Sequence, residues 1–178
     1  LGFGKEDKST YNYLTSHGIT DIKVHDKVMQ EGEYILFYTL YPNQKIVKMA
    51  KKVAKALKLP VVVTKFNNEH DYFNTFKKKY DTGPIEFLNL VNHAKFVLSS
   101  SFHGTVFSLI FKKPFFVLKD GRDERVETLL EKINLKNRII RNEDEISNKV
   151  MNAYDISFEK CDEMLEQERV QNGIYERL

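Results

Sequence analysis

The chain has 178 residues, of which 42% are hydrophobic and 30% charged, and its 28 basic and 25 acidic residues give a net charge of +3. This composition is typical of one globular domain and excludes a disordered chain. The near balance of charge argues against a dedicated nucleic-acid-binding protein, and no apolar run approaches the roughly 20 residues that cross a bilayer. The single cysteine, Cys161, excludes an internal disulfide or a cysteine zinc site and favours a reducing, cytoplasmic setting.

Short runs of β-branched or aromatic residues alternate with longer segments of helical period. Residues 34–40 are the first predicted strand, and Pro42 follows in a turn because proline cannot continue a central strand. Residues 67–80 are polar, aromatic and basic and are predicted to form a loop with a helical turn at most. The predicted strands are 34–40, 61–64, 96–100, 115–118 and 138–141, and the predicted helices are about 44–58, 84–93, 104–111, 124–133, 143–150 and 157–171.

This alternation predicts the fold class. Strands joined through helices by short connections imply right-handed crossovers and a parallel sheet. Helices then cover both faces of the sheet. The order β-α-β-α-β-α-β-α-β therefore gives an α/β fold, a Rossmann-like parallel sheet of about five strands. Ligands in such sheets bind at the carboxyl ends of the strands.

The helix predicted over 44–58 carries a row of lysines. Its apolar residues form one stripe, and the other side is lined by Lys45, Lys48, Lys52 and Lys55. An anionic partner is one explanation of this row. The solvent-exposed face of an ordinary amphipathic helix has the same pattern, and we favour that explanation.

The turn from the strand 96–100 into the next helix carries the strongest chemical signal. Gly104 lets a ligand approach the backbone, and the helix amino terminus offers unpaired N–H groups to an anion. His103 titrates near neutral pH, so it can hydrogen-bond a phosphate or transfer a proton. The alternative is structural, with His103 capping the helix and the serines turning the chain. The stretch is Ser99-Ser100-Ser101-Phe102-His103-Gly104-Thr105, in which Ser99, Ser100, Ser101 and Thr105 add hydroxyl donors.

Other candidate residues give weaker signals. Arg122 and Arg125 follow the strand 115–118 at its carboxyl end and could bind a phosphate or carboxylate, although salt bridges at a helix start explain them equally well. No two histidines have HxxxH or HExxH spacing, and Glu69-His70-Asp71 is expected to be a solvated loop, so no metal site is predicted. Cys161 lies on an apolar helical stripe and is expected to be a core residue.

Three segments together resemble the carboxyl-terminal half of the polysaccharide pyruvyl transferase family. They are Gly83-Pro84-Ile85-Glu86-Phe87-Leu88, the run from Ala94 to Thr105 that contains Phe-His-Gly-Thr, and Lys113-Pro114-Phe115. The similarity covers roughly residues 34–140. It implies a two-domain protein of GT-B-like architecture, in which the partner of this chain is an amino-terminal Rossmann-like domain. Residues 1–33 are then a remnant of that domain or a linker, and 34–178 are the second Rossmann-like domain with carboxyl-terminal helices.

The resemblance also implies an activity. Members transfer the pyruvyl group of phosphoenolpyruvate to sugar hydroxyls of a surface-polysaccharide precursor, so we expect phosphoenolpyruvate as donor, a sugar or glycan precursor as partner and no tightly bound cofactor. The family's characteristic histidine corresponds to His103, the expected catalytic residue; the family often has Arg two residues earlier, where this chain has Ser101. We expect the chain alone to fold but to be inactive, because its cleft needs the other domain. The expected substrate-binding residues are Ser100, Ser101, Gly104, Thr105, Gly83, Glu86, Arg122 and Arg125.

Two other functions fit the same fold. A GT-B glycosyltransferase domain that binds a nucleotide sugar shares the small residues at the strand-to-helix turn. Such domains usually have a carboxylate in the following helix, and residues 105–111 contain none. A non-catalytic module of the receiver type needs acidic residues at the ends of the early strands, and the strand 34–40 ends without one.

Overall fold

The computed structural model of the chain describes residues 32–64, 76–79, 83–119, 121 and 124–171. The predictions for residues 1–31, for Glu69-His70-Asp71 with the rest of 67–75 and for Arg122 lie outside the described residues. Strands and helices alternate along the described part of the chain. They are β1 Ile35–Tyr38, α1 Gln44–Leu57, β2 Val61–Thr64, β3 Lys77–Lys79, α2 Pro84–His93, β4 Phe96–Ser99, α3 Phe102–Ile110, β5 Phe115–Leu118, α4 Glu124–Lys132, β6 Ile139–Ile140, α5 Ile146–Met151 and α6 Glu159–Gln171, with 3₁₀ turns at Lys136–Arg138 and Glu143–Glu145.

The strands form one parallel sheet in the order β3-β2-β1-β4-β5-β6. β1 lies inside it, with Ile35 aligned to Val61 of β2 on one side and to Phe96 of β4 on the other. The chain runs outward from β1 through β2 to β3, then crosses back to β4 and continues outward to β5 and β6. The α/β, Rossmann-like fold class predicted from the sequence is confirmed.

β3 is a strand where the sequence predicts a loop. Lys77–Lys79 pairs with β2, with Val62 aligned to Lys77, so the loop prediction over 67–80 is wrong for these residues. Three successive lysines lack the apolar alternation that indicates a strand. The segment is extended because β2 offers it an open backbone edge, and charged residues are common on the outermost strand of a sheet.

The ends of α1 agree with the prediction for local reasons. The side chain of Asn43 accepts a hydrogen bond from the backbone N–H of Ile46 at 3.0 Å and so caps the first turn. Lys58 follows the last turn with φ +56°, in the left-handed conformation that commonly ends a helix.

Two other helices differ from their predicted bounds. α3 begins at Phe102, two residues before the predicted start at Gly104. The helix predicted over 143–150 is a 3₁₀ turn followed by α5. The turn forms because the side chain of Asn142 accepts hydrogen bonds from two backbone N–H groups at its start.

Alternate residues of the strands face two separate cores. In β1, Tyr34 and Leu36 point to one side with Val97 of β4, and Ile35 and Phe37 point to the other. The helices α2, α3, α4 and α6 contribute to the first core, and α1 and α5 to the second. Cys161, on α6, is buried in the first core, as the sequence predicts.

The buried side chain of Arg138, the residue before β6, is hydrogen-bonded to the segment that follows α5. Arg138 is 2% exposed, and its guanidinium donates hydrogen bonds to the carbonyl oxygens of Ala153 at 2.8 Å, of Asn152 at 3.3 Å and of Asp155. It also lies 5.7 Å from the ring centroid of Phe116. Burial lowers the pKa of this guanidinium and the Asp155 carboxylate opposes that shift. The Asn152 carbonyl also accepts from the N–H of Asp155 at 3.2 Å, whereas for the carbonyls of Ala153 and Asp155 the Arg138 guanidinium is the donor found in the described residues.

Candidate functional site

The described sheet reverses its direction of growth between β1 and β4. The chain leaves β1 through α1, which packs on one face, and leaves β4 through α3, which packs on the other. The amino termini of both helices lie at the carboxyl edge of the sheet, on either side of these two strands. Open α/β sheets bind ligands at such a switch point.

Thr39 and Ser100 join the two central strands at this edge. Their hydroxyl oxygens form a hydrogen bond of 2.6 Å, and the Ser100 N–H donates to the carbonyl oxygen of Tyr38 at 3.1 Å. Thr39 is fully buried and Ser100 half-buried, so Ser100 is the accessible member of the pair. Thr39 is not among the predicted site residues, although it follows β1 directly, as Ser100 follows β4, and this shared position is the signal that could have found it.

Hydroxyl groups fix the turn between Ser100 and α3. The Ser99 hydroxyl accepts a hydrogen bond from the Ser101 N–H and donates one to the Ser101 carbonyl, both at 3.0 Å. Thr105 donates to that same carbonyl through its backbone N–H at 3.1 Å and its hydroxyl at 3.0 Å. Thr105 is fully buried, so in this structure its hydroxyl stabilises the turn that presents the next residues.

Ser101 precedes α3 but does not cap it. Its side chain makes no hydrogen bond to the first turn, and its hydroxyl oxygen is buried without a partner among the described residues. A buried hydroxyl that lacks a partner is destabilising by about 1–3 kcal/mol. Local structure therefore does not account for this serine.

His103 lies in the first turn of α3 and is exposed. Its ring centroid is 6.1 Å from that of Phe102, edge to face, and within the described part of the chain its ring nitrogens make no hydrogen bond. The backbone N–H groups at this end of α3 have no preceding helical carbonyl to bind. The imidazole and the helix amino terminus are thus presented to solvent together.

Gly104 packs the first turn of α3 against the ends of the central strands. A Cβ atom at this position would meet the Ser99 hydroxyl and would lie 2.7 Å from Cδ1 of Tyr38 and 3.1 Å from Cβ of Ser99. Gly104 is itself buried. The structure therefore explains this glycine by helix–strand packing, which holds His103 at the edge of the sheet.

Arg125 reaches the same turn from α4. Its guanidinium carbon lies 5.0 Å from the ring centroid of Phe102, a cation–π distance. Because Phe102 also contacts the imidazole of His103, the structure brings Arg125 and His103 to one aromatic ring. Both side chains are exposed.

Gly83 and Glu86 open α2 near the end of β1. Gly83 is the residue before the helix, and Glu86 is exposed in its first turn. Phe87 beside them packs between Tyr38 and Phe107, at centroid distances of 4.8 and 5.3 Å. Burial raises the pKa of the Tyr38 hydroxyl. The first turn of α2 therefore packs against α3 through Phe107, and within the described residues no hydrogen bond or ion pair joins Glu86 to His103.

The arrangement is suited to an anionic ligand. Ser100, the amino terminus of α3 and Arg125 supply hydroxyl, amide and guanidinium donors, which bind phosphate and carboxylate oxygens. His103 adds an imidazole, which can donate or accept a proton. Within the described residues, no three His, Cys, Asp or Glu side chains form a group that could hold a metal ion.

The model of the family described as polysaccharide pyruvyl transferase matches residues 7–121, more than half of the chain. The chain belongs to the polysaccharide pyruvyl transferase family. The membership confirms the resemblance carried by the Phe-His-Gly-Thr segment, which lies inside the matched range. No curated protein sequence matches the chain significantly.

Two solved structures are similar to this family member at low sequence identity. One is described as a UDP-N-acetylglucosamine 2-epimerase from Listeria monocytogenes, with a TM-score of 0.53 and 14% identity over 78% of this chain and 42% of that one. Another is the spinosyn forosaminyltransferase SpnP, with a TM-score of 0.46 and 11% identity over 83% and 42%. The chain thus spans less than half of each. The first likeness shows the fold alone.

No helix in the described part of the chain is both long enough and apolar enough to cross a bilayer.

Proposed function

We propose that the protein containing this chain transfers the pyruvyl group of phosphoenolpyruvate to a sugar of a surface-polysaccharide precursor, without a tightly bound cofactor. The observation that carries the proposal is the exposed His103 on the first turn of α3, at the switch point between β1 and β4. Family membership supports the reaction class. A reducing, cytoplasmic setting fits the single cysteine.

Phosphoenolpyruvate carries a phosphate and a carboxylate, and the site offers donors for such groups. In this proposal the N–H groups at the start of α3 and the Arg125 guanidinium, which lies against the Phe102 ring, bind the same anion. In this proposal Arg125 supplies the guanidinium that many family members carry at the position of Ser101. Ser100 adds a half-buried hydroxyl at the same edge.

Proton transfer is the proposed role of His103. Its imidazolium donates a proton to the methylene carbon of the donor, which makes the neighbouring carbon cationic, and a sugar hydroxyl adds there while its proton returns to the imidazole. The carbon–oxygen bond to phosphate then breaks, and a second sugar hydroxyl adds to close the ketal as its proton leaves with the phosphate. The N–H groups of α3 stabilise the departing anion.

The test measures phosphate release by the whole protein from phosphoenolpyruvate and a sugar acceptor. General acid–base catalysis contributes roughly 10²–10⁴-fold, so His103→Gln is expected to lower kcat by at least about 100-fold. His93→Gln is the matched control, because His93 ends α2 with its Nδ1 3.0 Å from the Asn89 carbonyl oxygen, and its activity should stay within about twofold of wild type. Wild-type turnover by His103→Gln would refute the assignment.

A thermal-shift experiment separates this function from that of a nucleotide-sugar glycosyltransferase. A ligand present at 100 times its Kd stabilises the folded state by about 2.7 kcal/mol, which raises the Tm of a domain of this size by about 5–10 °C. Phosphoenolpyruvate is expected to raise the Tm by this amount, and Arg125→Gln is expected to reduce the increase. α3 has no acidic residue in its first turn to bind a ribose. Stabilisation by UDP-sugars but not by phosphoenolpyruvate would favour the glycosyltransferase.

A further inference from the structure

α1 presents a surface on which all the charged side chains are positive. The proposed reaction does not use this surface. Residues 44–58 include six lysines and no Asp or Glu. All six are exposed, whereas the apolar side of the helix is buried in the second core. We call these lysines the α1 lysine face: Lys45, Lys48, Lys51, Lys52, Lys55 and Lys58.

One carboxylate in the described residues approaches the α1 lysine face. Glu143 contacts Lys48 at 2.9 Å and Lys52 at 4.0 Å, and its carbonyl oxygen also accepts a hydrogen bond from Lys52 at 3.2 Å. Lys51 lies 5.9 Å above the ring of Phe76. Among the described residues, six lysines on this face meet one glutamate, an excess of five positive charges, whereas the whole chain carries +3, so the remaining residues are net negative.

A helix face whose only role is contact with water would not need a row of lysines without acidic residues between them. Lysines three and four residues apart repel one another on a helix, and pairs of opposite charge at those spacings would stabilise it. Soluble surfaces usually mix both signs. In the described part of the chain, Glu143 offsets this repulsion at Lys48 and Lys52 alone, so the rest of the α1 lysine face keeps it, which favours an anionic partner over simple hydration.

The geometry of the face indicates what kind of anion it meets. The lysines run along about 20 Å of helix, from Lys45 to Lys58, so they do not converge on a point as a small-ligand site would. The segment 44–58 has no arginine and no aromatic residue. Bidentate phosphate recognition and base stacking, which characterise nucleic-acid sites, use those residue types. Lysines spread over a long exposed face match the diffuse charge of an anionic lipid headgroup layer.

We propose that the α1 lysine face docks the protein electrostatically on a membrane surface of anionic phospholipid. The helix does not insert, because its apolar side is buried in the core. The inference is independent of the reaction proposed above, since none of its residues belongs to the site around His103.

Sedimentation with lipid vesicles tests the proposal, using the 178-residue chain. At low salt the chain should bind vesicles of phosphatidylglycerol mixed equally with phosphatidylcholine, and should not bind phosphatidylcholine alone. High salt should release it, because screening shortens the range of the attraction to about 3 Å at 1 M. Equal binding to both vesicle types, or binding that high salt does not weaken, would overturn the proposal.

A matched pair of variants separates the face from total charge. Each lysine near an anionic surface contributes roughly a fivefold gain in binding. Lys45, Lys48, Lys51 and Lys55→Gln together should therefore weaken vesicle binding by about 100-fold or more. The control variant carries Lys112, Lys132, Lys136 and Lys160→Gln, which removes the same charge away from α1 and should change binding by less than about threefold.

Circular dichroism checks that both variants fold, which is expected because every substituted lysine is exposed. Equal loss of binding in the two variants would show that net charge alone acts, and would refute a role of the face. Binding of a DNA duplex or of polygalacturonate as tight as that of the vesicles, at the same salt concentration, would assign the face to that other class of polyanion and reject the lipid surface.

Discussion

Replacing Gly104 by alanine is the sharpest test of how the candidate site is built. Residue-by-residue helix preferences favour alanine over glycine by about 1 kcal/mol, so the substitution is expected on that ground to stabilise α3. Packing predicts instead that the substitution destabilises the protein. The new Cβ would meet the Ser99 hydroxyl and lie 2.7 Å from Tyr38 Cδ1, distances at which atoms must move apart.

The magnitude follows from these contacts. Overpacking a well-packed interior costs about 1–3 kcal/mol, and the upper end applies because two contacts are far too close and one of them is with the fully buried Ser99. Subtracting the helix preference of alanine leaves a net loss of about 2 kcal/mol. For a domain of this length that loss lowers the Tm by about 4–8 °C. The first turn of α3 must shift, which moves His103 and weakens binding of phosphoenolpyruvate.

Urea unfolding of Gly104→Ala, Ser99→Ala and the double variant measures the effect. Ser99→Ala removes the hydroxyl that the new Cβ would meet, so Gly104→Ala should cost about 1 kcal/mol less in that background than in wild type. A Gly104→Ala protein that is as stable as wild type or more stable would refute the packing argument. Strict additivity of the two substitutions would show that Ser99 is not the obstacle.

Four further predictions follow from buried or paired groups. Arg138→Met should lower the free energy of unfolding by about 3 kcal/mol, because the carbonyl groups of Ala153 and Asp155 lose the guanidinium that donates to them; urea midpoints measure this. Asn43→Ala should cost about 1 kcal/mol through loss of the α1 cap, measured in the same way. The hydrogen bond from Lys119, with the charge of Arg141, lowers the pKa of Glu127, so the deficit of Glu127→Gln relative to wild type should be present at pH 7 and disappear as the pH falls below about 4. Burial raises the pKa of the Cys161 thiol, so iodoacetamide at pH 8 should label the unfolded chain and leave the folded one unlabelled.

Each of these has a result that contradicts it. If the free energy of unfolding of Arg138→Met lies within about 0.5 kcal/mol of that of wild type, water replaces the guanidinium as the hydrogen-bond donor. An Asn43→Ala protein with unchanged midpoint would show that another group caps α1. A stability deficit of Glu127→Gln that does not shrink at all as the pH falls from 7 to about 3 would exclude the ion pairs as its cause. Rapid labelling of the native thiol would place Cys161 outside the core.

The central strands and main helices could be predicted because they carry strong periodic signals. β1, β2, β4 and β5 are short apolar runs, and α1 has an uninterrupted stripe of apolar residues. β3 could not be predicted, because Lys77–Lys79 is extended only through its pairing with β2, a contact between distant parts of the chain. The residues around Lys77–Lys79 do not indicate that the backbone edge of β2 is open for them to pair with.

In the candidate site, too, some features could be predicted from the sequence and others could not. His103 and its place at the start of α3 could be predicted from the sequence, because a histidine among small residues after an apolar strand is a local pattern. The function of Gly104 could not, since the contact with Tyr38 depends on the pairing of β1 with β4. The proximity of Arg125 to Phe102 likewise depends on how α4 packs beside α3.

The position of β1 inside the sheet has a consequence for folding. Its second neighbour, β4, lies about 60 residues further along the chain, with Ile35 aligned to Phe96. A chain emerging from the ribosome can pair β1 with β2 early, but the other edge of β1 stays open until β4 has been made. Because pairing across such separations is slow, the unpaired edge is exposed to other chains during synthesis. Truncation before β4 is therefore expected to give an aggregating product.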